Sequence, residues 1–339
     1  MPRTPENFDS LPRAEILREL AKATEAHASL LLPVDKCWQP SDLLPDMASE
    51  AWLDQLTEFR RVARHLPDDL LVTLVANMIT EEALPSYHAW LCNLEDGFDK
   101  SGIGSNGIAN WIRGWVAEEK RHGDVLARYL FATGRVDMRK VEQTVHHLLR
   151  NGFDPLTDNN IFQGFIYTSF QERATFISHS GVGRLAKQYG DHNLARICDH
   201  VAGDEVRHER AYERFVGFLF EIAPNECMLS LEKMLRSTII MPSRRMTDGV
   251  DEDIFTLFSS ITQRNGIYTT SDYAQIMDHL VRLWKIEKVG VTSPAAKQAQ
   301  DFASGLPARY LKLAQRAEAR LAKFTPRPIS WLFQRVVAN

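Results

Sequence analysis

Glu118-Glu119-Lys120-Arg121-His122 and Asp204-Glu205-Val206-Arg207-His208 carry one pattern, acid-Glu-x-Arg-His, in two separate parts of the chain. A single Glu-x-x-His is expected by chance in 339 residues, but two that also share the preceding acid and the arginine are not. Their helical phase says more. In the first segment apolar residues recur at three- and four-residue steps through Ile108, Trp111, Ile112 and Trp115. The same face continues through Glu119 and His122 to Leu126, Tyr129 and Leu130. In the second it runs Leu194, Ile197 and Val201, then Glu205 and His208, then Tyr212, Phe215 and Leu219. Both Glu-x-x-His pairs thus interrupt a core-facing stripe and point inward, whereas a solvated charge would lie on the opposite face.

Two more carboxylates break an apolar stripe in the same way: Glu81 after Leu71, Leu74 and Met78, and Glu172 after Phe165 and Thr168. The order along the chain becomes Glu81, Glu119-x-x-His122, Glu172, Glu205-x-x-His208. One Glu from each of two helices and a Glu-x-x-His from each of two others is the ligand set of ferritin-like bundles that hold two iron or manganese ions. Four buried carboxylates without compensation would take up protons, whereas two divalent cations neutralise them. Oxygen-rich ligation with one imidazole per ion suits iron or manganese better than copper or zinc. Glu119 and Glu205 are the expected bridges. A ligating imidazole usually gives its other N–H to a carboxylate, which pairs Asp204 with His122 and Glu118 with His208. The alternative for the whole set is a group of buried structural ion pairs, and for Glu118 an exposed partner of a surface arginine.

Outside these segments the pattern is helical nearly throughout. It predicts helices near 12–31, 48–65, 67–95, 107–132, 137–150, 160–189, 192–222, 225–239, 253–264, 271–288 and 306–324. No Pro/Gly/Ser-rich linker divides two cores. The expectation is therefore one all-α domain over 1–339, with a four-helix metal-binding core about 67–222 and a helical elaboration over 223–339. A composition of 44% hydrophobic and 25% charged residues excludes disordered and collagen-like classes. No apolar run approaches the roughly 18 residues that span a bilayer, so integral membrane association is not expected. The first residues lack the apolar core of a secretory signal and the Arg/Ser-rich character of a transit peptide, which points to a cytoplasmic or already processed chain. Cys37, Cys92, Cys198 and Cys227 form no C-x-x-C pair and read as structural thiols in a reducing compartment. The net charge of −4 hides an asymmetry and leaves no footprint for nucleic acid. From Phe302 to Asn339 seven basic residues face Glu318 alone, so the basic tail belongs to an otherwise acidic body.

Longer motifs carry a resemblance. Met78-Ile-Thr-Glu-Glu-Ala-Leu-Pro-Ser-Tyr87, Trp115-Val-Ala-Glu-Glu-Lys-Arg-His-Gly-Asp124, Asp204-Glu-Val-Arg-His-Glu-Arg-Ala-Tyr212 and Lys36-Cys-Trp-Gln-Pro-Ser-Asp-Leu-Leu-Pro45 resemble the soluble acyl-ACP desaturases. So does Gly164-Phe-Ile-Tyr-Thr-Ser-Phe-Gln-Glu-Arg-Ala-Thr-Phe-Ile-Ser-His179, and the likeness extends to Pro328-Ile-Ser-Trp-Leu-Phe. The resemblance implies a homodimeric di-iron enzyme that uses O2 and two electrons, usually from ferredoxin. Its product would be a cis double bond in a saturated acyl chain carried on acyl carrier protein, and a processed plant member would work in the plastid stroma. By the family pattern the iron ligands are Glu81, Glu119, His122, Glu172, Glu205 and His208, the six already marked by their helical phase. The pattern also makes Thr175 the hydroxyl beside the oxygen site, where the bare sequence leaves helix packing open. It implies an electron route through Trp38, Asp204 and His122. Trp90, Asn93, Thr157, Gly164 and Phe165 resemble the acyl-pocket lining, with Trp90 standing where plant enzymes carry a slimmer Met.

An acidic carrier needs a basic landing site. On the helix expected at 306–324, Arg309, Lys312, Arg316, Arg320 and Lys323 fall within about 80° of one another, with Tyr310, Leu313, Ala317, Leu321 and Phe324 as the packed face. A solvated face is the alternative. Rival readings of the whole chain are a ribonucleotide-reductase-like small subunit, an iron store, a silent acyl-carrier binder, or an acyl hydroxylase or oxidase built on the same site.

Overall fold

The computed structural model describes residues 11–318 and 326–337. Twelve α-helices make up most of them: α1 Arg13–Ala26, α2 Trp52–Ala63, α3 Asp68–Glu82, α4 Leu84–Asn93, α5 Gly107–Thr133, α6 Met138–Asn151, α7 Ile161–Gln188, α8 His192–Ile222, α9 Pro224–Ser237, α10 Ile254–Arg264, α11 Thr270–Leu283 and α12 Pro294–Glu318. Among the described residues α5, α7 and α8 are the longest helices, and each begins on a side-chain cap that satisfies an otherwise orphaned backbone N–H. Asn106 accepts from Ala109 N at 2.9 Å, Asn160 from Gln163 N at 3.1 Å and Asp191 from Leu194 N at 2.8 Å. Gly134 ends α5 in the left-handed region at φ 63°, where a side chain would be strained.

In the bundle α3 packs on α5 and α7 on α8, with α3 against α7 and α5 against α8 closing it. Two apolar cores lie along its length. One contains Trp111, Phe165 and Phe215; the other contains Leu74, Tyr129, Val182 and Val201. α5, α7 and α8 each run through both cores, and their inward acids and histidines fall between them. The polar site is a seam between two dry cores, as the interrupted stripes require. The helical class and the ferritin-like arrangement agree with the sequence.

Several boundaries differ from expectation. The span expected at 67–95 is two helices, because Pro85 has no N–H to donate and its ring clashes with the preceding turn. Glu81 therefore occupies the last turn of α3. The last helix starts at Pro294 rather than near 306. Ser293 Oγ caps it by accepting from Ala296 N at 3.1 Å, and Pro307, which reads as a start, lies inside it. Leu313 is 56% exposed, while Leu306 and Ala314 take the buried side. It belongs with the basic stripe and not with the packed face. Arg320 and Lys323, with Leu321 and Phe324, lie outside the described residues.

After α12 the chain returns as a short hairpin, Pro328–Ile329 against Arg335–Val336. Between the strands Trp331 is fully buried and donates Nε1–H to Thr144 Oγ1 at 2.9 Å. Arg335 holds Asp68 at 2.7 Å, tying the hairpin to the start of α3. The four cysteines are free thiols. Among the described residues no helix is long and apolar enough to cross a membrane.

Candidate metal centre

Glu81 from α3, Glu119 and His122 from α5, Glu172 from α7, and Glu205 and His208 from α8 converge in the seam, all of them buried. They form two overlapping groups whose ligand atoms lie within 4.8 Å of one another. One is Glu81, Glu119, His122 and Glu205; the other is Glu119, Glu172, Glu205 and His208. Glu119 and Glu205 belong to both. The two oxygens of Glu119 divide between the histidines, Oε2 at 3.1 Å from His122 Nδ1 and Oε1 at 2.6 Å from His208 Nδ1. Glu205 Oε1 is 3.4 Å from His122 Nδ1. The terminal carboxylates each direct Oε2 at one imidazole, Glu81 at 3.9 Å from His122 and Glu172 at 3.7 Å from His208.

The far side of each imidazole is engaged as a ligand requires. His122 Nε2 lies 3.3 Å from Asp204 Oδ2, and His208 Nε2 lies 3.1 Å from Glu118 Oε2. With each Nε2 engaged by a carboxylate, Nδ1 is the atom left for a cation. Glu118 is buried and also receives Arg207, so it is not an exposed surface partner.

These residues fit a pair of cations. Glu119 Oε1, His122 Nδ1, Glu205 Oε1 and His208 Nδ1 are buried and face one another without a well-formed hydrogen bond. Orphaned buried polar atoms are costly unless something else satisfies them. The electrostatics agree. Burial, with help from the Glu119 and Glu205 charges, pushes Glu172 well above the usual carboxylate range and raises Glu81 in the same direction. Burial alone would raise Glu119 too, but His122 and His208 pull it far below. Against the burial that disfavours their charged forms, the surrounding carboxylates raise His122 well above its ordinary value and push His208 up to about 9. Two terminal acids and two imidazoles are thus drawn toward their protonated forms. Divalent cations would take the place of those protons.

A strap from the start of the chain covers the histidine side. Arg207 donates to Leu30 O at 2.6 Å, and Leu32 N donates to Glu118 Oε1 at 2.6 Å. Arg121 donates to Trp38 O at 2.8 Å, and Trp38 Nε1 donates to Asp204 Oδ2 at 3.0 Å. Trp38 is half-buried, stacks on His122 at 6.1 Å with 7° between the rings, and carries Arg121 over its face. Burial opposes the charge on Asp204, yet His122 and the two arginines bring it down to about 2.

On the opposite side two cavities meet at the seam. The larger, about 320 Å³, is walled by residues including Asn77, Ser178, His179, Gln263, Tyr273 and Tyr310; the smaller, about 60 Å³, includes Tyr87, Trp90, Trp115, Phe153 and Tyr167. Thr80, Glu81 and Thr175 line both. The Thr175 hydroxyl donates to its own helix, at 3.0 Å from Gln171 O and 2.9 Å from Glu172 O. Trp90 closes the small cavity, held by Nε1–H on Thr157 Oγ1 at 3.1 Å and wedged against Phe153 and Tyr167. Gly164 leaves room for Leu94, which a Cβ there would meet at 2.6 Å, while Trp90 would stand at an ordinary 3.5 Å. Of the expected lining residues only Trp90 borders these two cavities; Thr157 braces its indole, while Gly164, Asn93 and Phe165 stand away from both. Asn93 is exposed and bonded to Ala89 O. Phe165 turns to the other side of α7, against Tyr212 and Phe215.

Two contributors escape the motif reading. His179 Nε2 lies 2.9 Å from Glu81 Oε1, and Trp115 Nε1 donates to Glu172 Oε1 at 2.9 Å. His179 stands on the face of α7 that carries Glu172 and Thr175, a phase the sequence displays. Trp115 is hidden among apolar stripe residues. A third acid–histidine group, Glu209, Glu213 and His279, already holds a cation, since Arg173 sits 2.5 Å from Glu209.

The fatty acid desaturase family model matches residues 12–333. The chain is 49% identical over 308 residues to the chloroplastic stearoyl-[acyl-carrier-protein] 9-desaturase of Olea europaea, covering 91% of this chain and 79% of that one. It is 47% identical to the corresponding protein of Spinacia oleracea, covering 97% and 83%. To the chloroplastic acyl-[acyl-carrier-protein] desaturase of Cucumis sativus it is 47% identical, covering 96% and 82%. The X-ray structure assigned to an acyl-ACP desaturase, DesA2, of Mycobacterium tuberculosis H37Rv matches with a TM-score of 0.55 at 18% identity, covering 84% of this chain and 99% of that one, and shows a shared fold. On the strength of the match over nearly its whole length, this chain belongs to the fatty acid desaturase family.

Proposed function

We propose that this chain is an acyl-ACP desaturase, which inserts a cis double bond into a saturated acyl chain presented on acyl carrier protein. The observation that carries the reading is the pair of ligand groups sharing Glu119 and Glu205 at the meeting point of two cavities. Two iron ions held by Glu81, Glu119, His122, Glu172, Glu205 and His208 would supply, with O2, the oxidising power that no side chain has against unactivated C–H bonds. Two hydrogens from the chain, two electrons from a ferredoxin-like donor and two protons together reduce O2 to two waters. The protein's own part is positioning. The large cavity admits the chain, Thr175 and Glu81 flank its passage beside the carboxylates, and Trp90 stops its methyl end. The dry aromatic walls exclude water from the reacting carbons. Trp38, in contact with both His122 and Asp204, is the proposed electron entry. We place the reaction in an aqueous compartment, cytoplasm or plastid stroma, with the enzyme a homodimer. A ribonucleotide-reductase-like subunit is disfavoured by similarity along the whole chain, and nothing favours a hydroxylase or oxidase.

The test is anaerobic reduction of the iron-loaded protein followed by O2, over carrier-bound chains of different lengths, with products identified by mass spectrometry. An olefin from at least one substrate is expected. No olefin from any of them would overturn the reading. In the same panel Trp90→Met deepens the small cavity and is expected to move preference toward longer chains, by roughly 10- to 200-fold in kcat/KM for each methylene newly accommodated. An unchanged length profile would remove Trp90 from the pocket.

Arg309, Lys312 and Arg316 are exposed on α12, beside the Tyr310 that lines the large cavity. Cations at the mouth suit an acidic carrier. Reversing Lys312 and Arg316 to Glu is expected to raise KM for carrier-bound substrate at least roughly tenfold at low ionic strength and much less at high salt. An unchanged KM at low salt would place the dock elsewhere.

A further inference from the structure

The terminal carboxylates each keep one oxygen away from the imidazole they face, and they do so with different donors. Glu172 Oε1 accepts from the Trp115 indole, which can do nothing but donate. Glu81 Oε1 faces His179 Nε2 at 2.9 Å. His179 is 1% exposed, and its Nδ1 has no hydrogen-bond partner among the described residues. With a proton on Nε2 the ring donates to Glu81 Oε1. The surroundings differ as well. Glu81 lines both cavities, whereas Glu172 lines only the small one, and His179 is part of the large cavity's wall.

We propose that His179 is a positioning residue for the ion held by Glu81 and His122: by occupying Glu81 Oε1 it leaves Oε2 as the one oxygen offered to that ion. This rests on the two-metal reading above. A buried carboxylate with both oxygens free can chelate one cation, bridge two or swing into the adjoining space. A donor fixed on one oxygen removes those choices. Glu81 is the ligand that needs such restraint most, since the space into which it could swing is the larger cavity. Trp115 performs the equivalent restraint on Glu172 from within a packed aromatic cluster. The two ions would be held unequally, one set from the wall of the larger cavity and the other from the aromatic wall of the smaller one.

Cobalt(II) titration of the full-length metal-free protein tests this, read by bound metal and by the visible ligand-field spectrum. Wild type is expected to take two ions per chain. His179→Ala should weaken one of them by roughly 10- to 100-fold, the scale on which partners of metal ligands act, and alter half of the spectrum. His179→Gln, whose amide N–H reaches the position of the ring Nε2–H, should restore both; His179→Asn, too short, should not. A residue that served packing alone would lower metal-free stability without separating the two affinities. Wild-type affinities and spectrum in His179→Ala, or in His179→Asn where the Ala variant fails to fold, would overturn the inference while leaving the two-metal reading in place. A wild type that takes up no cobalt would overturn both.

Discussion

Glu172→Gln is expected to give a chain that folds as well as wild type without metal, holds fewer than two metal ions, and loses at least about 1,000-fold in turnover, as removal of one member of a cooperating set does. Glu172 offers Oε2 to the cation site beside His208 and gives Oε1 to Trp115. Burial pushes its carboxyl well above the ordinary range, which favours the neutral acid in the metal-free protein. Glutamine has the shape of that neutral acid and retains an oxygen for the indole, so the metal-free fold loses nothing. What disappears is the carboxylate that a divalent ion needs. Glu119→Gln should behave differently. Glu119 is charged between two imidazolium-prone rings, so its loss leaves them without a counter-charge and lowers metal-free stability as well as metal uptake. Metal analysis and denaturant unfolding of the two metal-free variants separate these outcomes. Two ions per chain in Glu172→Gln, or equal destabilisation by both substitutions, would contradict the assignment.

The second large effect lies far from the chemistry. Trp331→Ala is expected to destabilise the fold by about 3–5 kcal/mol, the range for emptying a buried aromatic site. Trp331 is fully buried beside Ile329 and Leu332, and its removal also takes one of two hydrogen bonds from the Thr144 hydroxyl, which still donates to Lys140 O. Neither residue approaches the cation site, so the metal-binding stoichiometry of the folded fraction should not change. A shift within about 0.5 kcal/mol, as at surface positions, would mean that the hairpin does not hold α3 and α6 together.

What could be read from the sequence followed from helical phase. Six acids and histidines sat on apolar faces, and an apolar face must go inward, so their burial and convergence were legible before any geometry. The acids one residue earlier, Glu118 and Asp204, were reachable by the same argument with the chemistry of imidazole added. Phase fails where two contexts produce one pattern. The apolar run through Ala83, Leu84 and Leu91 continues across the break at Pro85, and Pro307 looks like a helix start because proline is favoured there. Leu313 lies about 100° around the helix from the buried Ala314, and its apolar side chain alone had put it on the packed face. Asn93 and Phe165 came in on resemblance and are turned out of the pocket by the direction of their helices. His179 was visible in phase but lacked a repeated motif to single it out, and Trp115 looks like any core aromatic until its indole N–H finds Glu172.

The strap over the histidines has a consequence for how the protein is made. Leu30 to Trp38 leave the ribosome early, yet their partners are Glu118, Arg121, Asp204 and Arg207, up to 177 residues further along. Chains are made from the N-terminus, and contacts so distant in sequence wait for the later segment. Until α8 has emerged, the early segment has only its α5 partners, Glu118 and Arg121, to close on, and two of the six proposed ligands do not exist. Metal uptake at the proposed centre therefore waits for α8, and the interval between completing α8 and fastening residues 30–38 is when the histidine side would stand open to the cell's metal supply.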